Sequence, residues 1–136
     1  MSTAIFQPMI VLVLWTFVVL LLIPRARFKA ARERRVGAAD FALGESENVP
    51  AEVRLPNRNF MNLLETPVLF YVACLTLYVI GKVDTWAIAL AWAYVVLRIA
   101  HSLIHLTYNN VIHRLRVYAL GIVPLVALWV RIMVAL

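Results

Sequence analysis

The sequence predicts an all-α integral membrane protein, a bundle of four transmembrane helices. The first observation is composition, since 64% of the residues are hydrophobic and only 15% are charged, unlike a soluble domain. The second is that the apolar residues form four long segments, each near the ~20 residues that cross a bilayer core of ~30 Å. The third is length, because four such spans use most of the 136 residues. A single membrane domain, 1–136, is therefore expected.

The four helices are predicted at about 5–24, 57–80, 85–108 and 117–136, with a loop at about 25–56. The first segment carries no charge and basic residues follow it. A cleaved signal peptide has the reverse order, so we expect this helix to be retained, with a cleaved leader as the alternative. Pro67 cannot donate to the carbonyl of Leu63, which predicts a kink just past Glu65. Gly121 and Pro124 predict a bend in the fourth helix.

The basic residues are placed unevenly, which argues for a membrane partner and against nucleic acid despite the net charge of +6. Those between the first and second or the third and fourth segments are Arg25, Arg27, Lys29, Arg32, Arg34, Arg35, Arg54, Arg58, Arg114 and Arg116. Only Lys82 and Arg131 lie near the opposite face. The positive-inside rule therefore predicts that both basic segments are cytoplasmic and both termini outside. The run 25–35 also suits anionic membrane lipids.

Two apolar segments each carry a stripe of polar residues on one helix face. In the third segment these are Arg98, His101 and His105, at i, i+3 and i+7. At the start of the second they are Arg58, Asn62 and Glu65, at i, i+4 and i+7. Residues at these spacings share a helix face. Ionisable groups inside a bilayer are costly and mark functional sites, so the two stripes are candidates for one site.

Depth predicts an ion pair between Glu65 and Arg98. Counted at 1.5 Å per residue from the cytoplasmic ends of their helices, both reach a comparable depth. An unpaired arginine at a helix centre costs about 3 kcal/mol on insertion scales. An alternative is that these groups only hold helices together. Another is a metal or haem site at His101 and His105, but His113 lies beyond the membrane edge and no other ligand joins them.

Three motifs follow one another along the chain: Arg58-x-x-x-Asn62-x-x-Glu65, Arg98-x-x-His101-Ser102 and Arg114-x-x-x-Tyr118. Their order and location resemble the superfamily of membrane-associated proteins in eicosanoid and glutathione metabolism, which includes the microsomal glutathione transferases and microsomal prostaglandin E synthase. The resemblance covers nearly the whole chain. It differs from the prostaglandin synthase pattern at His105, which has tyrosine there, at Met61, which replaces a basic residue, and at Pro67, which follows the glutamate more closely.

The resemblance implies a glutathione-dependent transferase or peroxidase that acts on lipophilic electrophiles or hydroperoxides, with glutathione as co-substrate. It also implies a homotrimer with the site at the subunit boundary, facing the cytoplasm. The implied glutathione ligands are Arg25, Arg58, Asn62, Glu65, Arg98, His101 and His105. Arg114 and Tyr118 are the candidate catalytic residues. The alternative is a non-catalytic lipid- or helix-binding member of the same fold.

The chemistry of these residue types suits glutathione, which carries two carboxylates, one ammonium and a thiol. Arginine binds carboxylates through a bidentate, permanently charged fork. Glu65 would take the ammonium. A free thiol has a pKa of about 8.5, and a cation or hydroxyl donor beside the sulfur lowers it. Arg114 and Tyr118 lie one helical turn apart at the membrane edge, where they would do so.

The charge asymmetry predicts the topology directly. Cysteines that replace Ser2 and Ser46 should react with a membrane-impermeant thiol reagent from opposite sides of the membrane, because one span separates them. Labelling of both from the same side would contradict an odd number of crossings between them.

Overall fold

The computed structural model describes residues 2–136 and confirms the all-α membrane bundle. Its five helices are α1 (Phe6–Arg32), α2 (Ala51–Leu63), α3 (Thr66–Val79), α4 (Thr85–Leu106) and α5 (Val111–Ala135). Four segments of the described chain are long and apolar enough to cross a membrane: Thr3–Arg32, Ala51–Val79, Thr85–Leu106 and Val111–Ala135. The second of these consists of α2 and α3 in series. Most apolar side chains on the outer faces of these helices are exposed, as expected of surfaces that contact lipid.

The first helix extends well past its predicted end at residue 24, and the following loop is correspondingly shorter. Strong helix formers continue α1 through Pro24 as far as Arg32. Arg34 then takes a left-handed conformation with φ of 56° and ends the helix. The connecting segment 33–50 packs on α1 and α2 through a small apolar cluster formed by Ala30, Val36, Val49 and Val53. Arg27 fixes it further, because its guanidinium pairs with Glu45 at 3.2 Å.

Two later helices begin earlier than predicted. Pro50 precedes α2, so the helix starts at Ala51 and not near residue 57. The side chain of Asn110 accepts a hydrogen bond of 3.0 Å from the backbone N–H of His113. This N-cap starts α5 at Val111 and not near residue 117. Both starts bring the basic residues of these helices into regular helical positions at one end of the bundle, which we call the basic end.

The second span is interrupted where Pro67 predicts a kink. The interruption is a complete helix break at Leu64 and Glu65, and Glu65 has a ψ of −102°. Asn62 lies in the last turn of α2, where backbone carbonyls have no partner within their own helix. The break therefore leaves carbonyl acceptors inside the bundle. In α5, by contrast, the helix continues through Pro124.

The main core lies between α1, α3, α4 and α5, away from the basic end. At its centre the rings of Phe70 and Tyr94 stack with centroids 4.6 Å apart. At the far end, Oδ1 of Asp84 accepts a hydrogen bond of 2.8 Å from the backbone N–H of Ala87 and caps α4. This hydrogen bond and the nearby Arg131 lower the pKa of Asp84. The core and the cap hold α4 at a fixed depth in the bundle.

Candidate functional site

Arg98 is a buried cation surrounded by neutral groups. It lies on α4 and is only 4% exposed. One of its terminal nitrogens donates to the backbone oxygen of Asn62 at 3.2 Å and to Oγ1 of Thr66 at 2.5 Å. Its guanidinium carbon lies 5.0 Å from the ring centroid of Tyr118, within the range of a cation–π contact. The α2–α3 break thus supplies the acceptors that Arg98 needs in an apolar bundle.

The predicted ion pair between Glu65 and Arg98 is wrong. Within residues 2–136, none of the ion pairs involves either residue. Glu65 occupies the helix break itself, and its side chain is exposed. Equal depth brought the two residues to the same level but not to the same direction, because the break turns Glu65 outward. The carboxylate is therefore available to a ligand.

Two adjoining clefts at the basic end collect most of the predicted site residues. The first, of about 270 Å³, is lined by Asn62, Glu65, His101, Val111, Arg114, Leu115 and Tyr118. The second, of about 380 Å³, is lined by Leu55, Arg58, Met61, Asn62, His105, Asn109 and Arg114. Because Asn62 and Arg114 line both, we treat them as one site and call it the double cleft. Arg98 lies beneath it, against the ring of Tyr118.

The two histidines of α4 form the inner wall of the double cleft. His101 is 6% exposed and His105 is 2% exposed. Nδ2 of Asn62 lies 3.4 Å from Nδ1 of His105, and the rings of His101 and Tyr118 have centroids 5.9 Å apart. In the part of the chain that the structure describes, no three His, Cys, Asp or Glu side chains come together to hold a metal ion.

Arg114 is held at the mouth of the double cleft by the turn between α4 and α5. Asn109 adopts a left-handed conformation, with φ of 46°, which asparagine tolerates well. Its Oδ1 accepts a hydrogen bond of 2.8 Å from Arg114. Arg114 lies in the first turn of α5 and Tyr118 one turn later, on the same cleft. The positive end of the helix macrodipole therefore adds to the charge of Arg114.

Arg25 does not line the double cleft of its own chain. It lies with Lys29 on α1, in a separate recess of about 350 Å³ bounded by α2 and the last turn of α4. Arg25 thus stands apart from the other six predicted glutathione ligands within a single chain.

The model of the MAPEG family matches residues 5–134. The chain belongs to the MAPEG family. This confirms the resemblance read from the motifs, and the family includes glutathione transferases and peroxidases. No curated protein and no solved structure shows significant similarity to the chain. The family match and the four apolar helices together identify an integral, multi-pass membrane protein.

Sequence reasoning missed several polar residues that support the site of this MAPEG chain. Nε1 of Trp15 and Nδ2 of Asn59 donate to Oγ of Ser102 at 2.8 and 2.6 Å. The hydroxyls of Thr66 and Tyr94 lie 3.2 Å apart beside Arg98. The spacing contained a signal, because Ser102 follows Arg98 by four residues and Asn59 precedes Asn62 by three, so each shares a helix face with a predicted ligand. Trp15 carried no such signal.

The contacts of Arg98 predict which substitutions interact. In unliganded protein, Thr66→Val and Arg98→Met should be non-additive in the free energy of unfolding by about 0.5 kcal/mol or more, because the two side chains are hydrogen-bonded. Glu65→Gln and Arg98→Met should add within about 0.5 kcal/mol, since those residues do not meet. Unfolding in detergent measures both cycles. Coupling in the Glu65 cycle and additivity in the Thr66 cycle would contradict this geometry.

Proposed function

We propose that this MAPEG chain is a glutathione-dependent membrane transferase or peroxidase that acts on lipophilic electrophiles or hydroperoxides. The observation that carries the proposal is the charge of the double cleft. Arg98 is buried beneath it without a carboxylate partner in residues 2–136, and Arg58 and Arg114 line it. Glu65 is the one acidic residue among the lining residues. A ligand with more negative than positive groups would neutralise this excess.

Glutathione matches that balance group by group. Its two carboxylates suit arginines, which bind them in a bidentate geometry. The buried Nε atoms of Arg98 and Arg114 have no hydrogen-bond partner in the described chain, so each arginine retains a donor. Glu65, exposed at the helix break, would bind the ammonium. The amide of Asn62 and the rings of His101 and His105 would complete the peptide-binding wall.

Arg114 and Tyr118 would activate the thiol. Both line the first cleft near the amino-terminal end of α5, where guanidinium, phenol and helix dipole all favour an anion. The thiolate would attack a carbon electrophile, form the S–C bond and expel the leaving group with its electron pair. With a hydroperoxide, it would attack the outer oxygen and break the O–O bond. A second glutathione would then release the disulfide, yielding alcohol and water.

A homotrimer would complete this site. Glu65 is exposed within a membrane-crossing segment, a costly place for a carboxylate that faces lipid. An exposed apolar stripe at helical spacing extends from it along α3: Val68, Val72, Leu75 and Val79. A neighbouring copy packed on this stripe would cover both, and symmetric closure is the usual outcome. Arg25, which lies away from the double cleft of its own chain, would then be free to reach the cleft of a neighbour.

The trimer is tested by native mass spectrometry of the detergent-solubilised protein. A trimer should be observed. Replacing Val72 by a charged residue, Val72→Lys, should reduce it to monomer while the same change at Val123, on the outer face of α5, should not. A wild-type monomer or dimer that binds glutathione fully would contradict the proposal.

Glutathione binding is tested by calorimetric titration in detergent. The wild-type protein should bind glutathione, and Arg98→Met should weaken the affinity about tenfold or more, because a buried charge-assisted contact is lost. Arg116→Ala is the matched control, since Arg116 is exposed on α5 and lines neither cleft. Absence of binding by folded wild-type protein would overturn the proposal and favour a non-catalytic member of the family.

Thiol activation is tested separately, by the ultraviolet absorbance of the thiolate when glutathione is added across a range of pH. Arg114→Ala should raise the pH midpoint of this signal while binding stays measurable, because a cation that stabilises the thiolate is removed. Tyr118→Phe should raise it less, and Arg116→Ala should leave it unchanged. An unchanged midpoint with normal turnover in Arg114→Ala would exclude Arg114 from the mechanism.

A further inference from the structure

We propose that Ser102 is a positioning residue, whose hydroxyl joins Trp15 of α1 and Asn59 of α2 and thereby fixes the helices that carry the double cleft. Its effect on ligand binding rests on the proposed function, whereas its effect on helix placement does not. Ser102 lines neither cleft, so it acts through its neighbours.

The hydrogen bonds at Ser102 join three helices at one oxygen atom. Nε1 of Trp15 donates at 2.8 Å and Nδ2 of Asn59 at 2.6 Å. Ser102 and Asn59 are both 0% exposed. A serine oxygen has two lone pairs and can accept both bonds. In a membrane bundle no water replaces such partners, so a buried polar group depends strongly on the bonds that it has.

The contact belongs to an antiparallel series between the second span and α4. Asn59 meets Ser102, Asn62 meets Arg98, and Thr66 meets Tyr94. The predicted glutathione ligands Asn62 and Arg98 form the middle contact of this series. The contacts on either side therefore hold α2 and α4 in register at the ligand. A shift of one residue along a helix is about 1.5 Å, and misplacement of about 1 Å can reduce the rate of a reaction a hundredfold.

Asn59 depends on Ser102 more than the distances alone show. Its Oδ1 is buried and has no hydrogen-bond partner among residues 2–136. Ser102 is thus the residue that anchors this amide in the described structure. If the hydroxyl is removed, the whole amide is left unpaired and Asn59 must move to find another partner. Asn59 is flanked by Arg58 and lies one turn before Asn62, so its movement displaces two residues of the double cleft.

The test uses Ser102→Ala, which removes the hydroxyl and little volume, in full-length protein in detergent. Glutathione affinity should fall about tenfold, the factor of one ordinary hydrogen bond. The indole N–H resonance of Trp15, identified by its loss in Trp15→Phe, should shift. Ser102→Thr keeps the hydroxyl and should restore both. At saturating glutathione the pH midpoint of the thiolate signal should not change, because Arg114 and Tyr118 lie on α5.

Thr76→Ala is the matched control, because Thr76 is also a hydroxyl residue in a membrane-crossing helix but bonds only to the carbonyl of Val72 on its own helix, at 2.8 Å. It should alter neither affinity nor the Trp15 resonance. If Ser102→Ala does not fold, Trp15→Phe keeps the contact between Ser102 and Asn59 and should give a smaller loss of affinity.

The outcomes separate the two proposals. If wild-type protein binds glutathione and Ser102→Ala or, where that variant does not fold, Trp15→Phe binds it equally well, the positioning role is wrong. If wild-type protein does not bind glutathione, the proposed function fails, and the Trp15 resonance alone decides the inference. An unshifted resonance in Ser102→Ala would then overturn it, and a shift that Ser102→Thr reverses would support it.

Discussion

The burial of Arg98 is the constraint around which the basic end of the bundle is built. A guanidinium is always charged, and hydrocarbon offers it neither water nor counter-ions. The structure accommodates it with neutral acceptors: a backbone carbonyl, a threonine hydroxyl and the face of a tyrosine ring. Each of these comes from a different local feature. The carbonyl of Asn62 is available because it lies in the last turn of α2, Thr66 begins α3, and Tyr118 stands on α5.

The helix break therefore has two consequences from one cause. Pro67 prevents a continuous second span, and the break frees carbonyl acceptors for Arg98. The same break exposes the carboxylate of Glu65. A continuous helix would satisfy its own carbonyls and leave the arginine without partners. The cation and the helix break thus depend on each other, and the carboxylate beside them remains free for a ligand.

The site divides its chemistry between two sets of helices. The second span and α4 present the groups that suit a charged peptide, and their register is held by side-chain contacts from Asn59 to Tyr94. The start of α5 presents Arg114 and Tyr118, where charge and helix dipole favour an anion. Asn109 connects the two sets, because its left-handed turn ends α4 and its side chain holds Arg114. Binding and activation are thereby separable by substitution.

The sequence by itself determined the all-α fold, the four spans, the interruption at Pro67 and membership of the family. These follow from apolar length, proline chemistry and helical spacing, which act within one segment at a time. The same spacing placed Asn62, His101, His105 and Arg114 at the basic end. Helix ends were less predictable: α1 passes Pro24 and α5 starts at Val111, because local caps and turns set them.

The tertiary structure alone decided which polar groups meet. Depth along two helices gave Glu65 and Arg98 the same level, but their directions depend on the break, so Arg98 binds Thr66 and the Asn62 carbonyl. Trp15 and Ser102 lie far apart in the chain and meet only because α1 packs beside α4. Helical periodicity fixes the face on which a residue lies, whereas the rotation and crossing of neighbouring helices, set by packing across the whole bundle, fix the partner it finds.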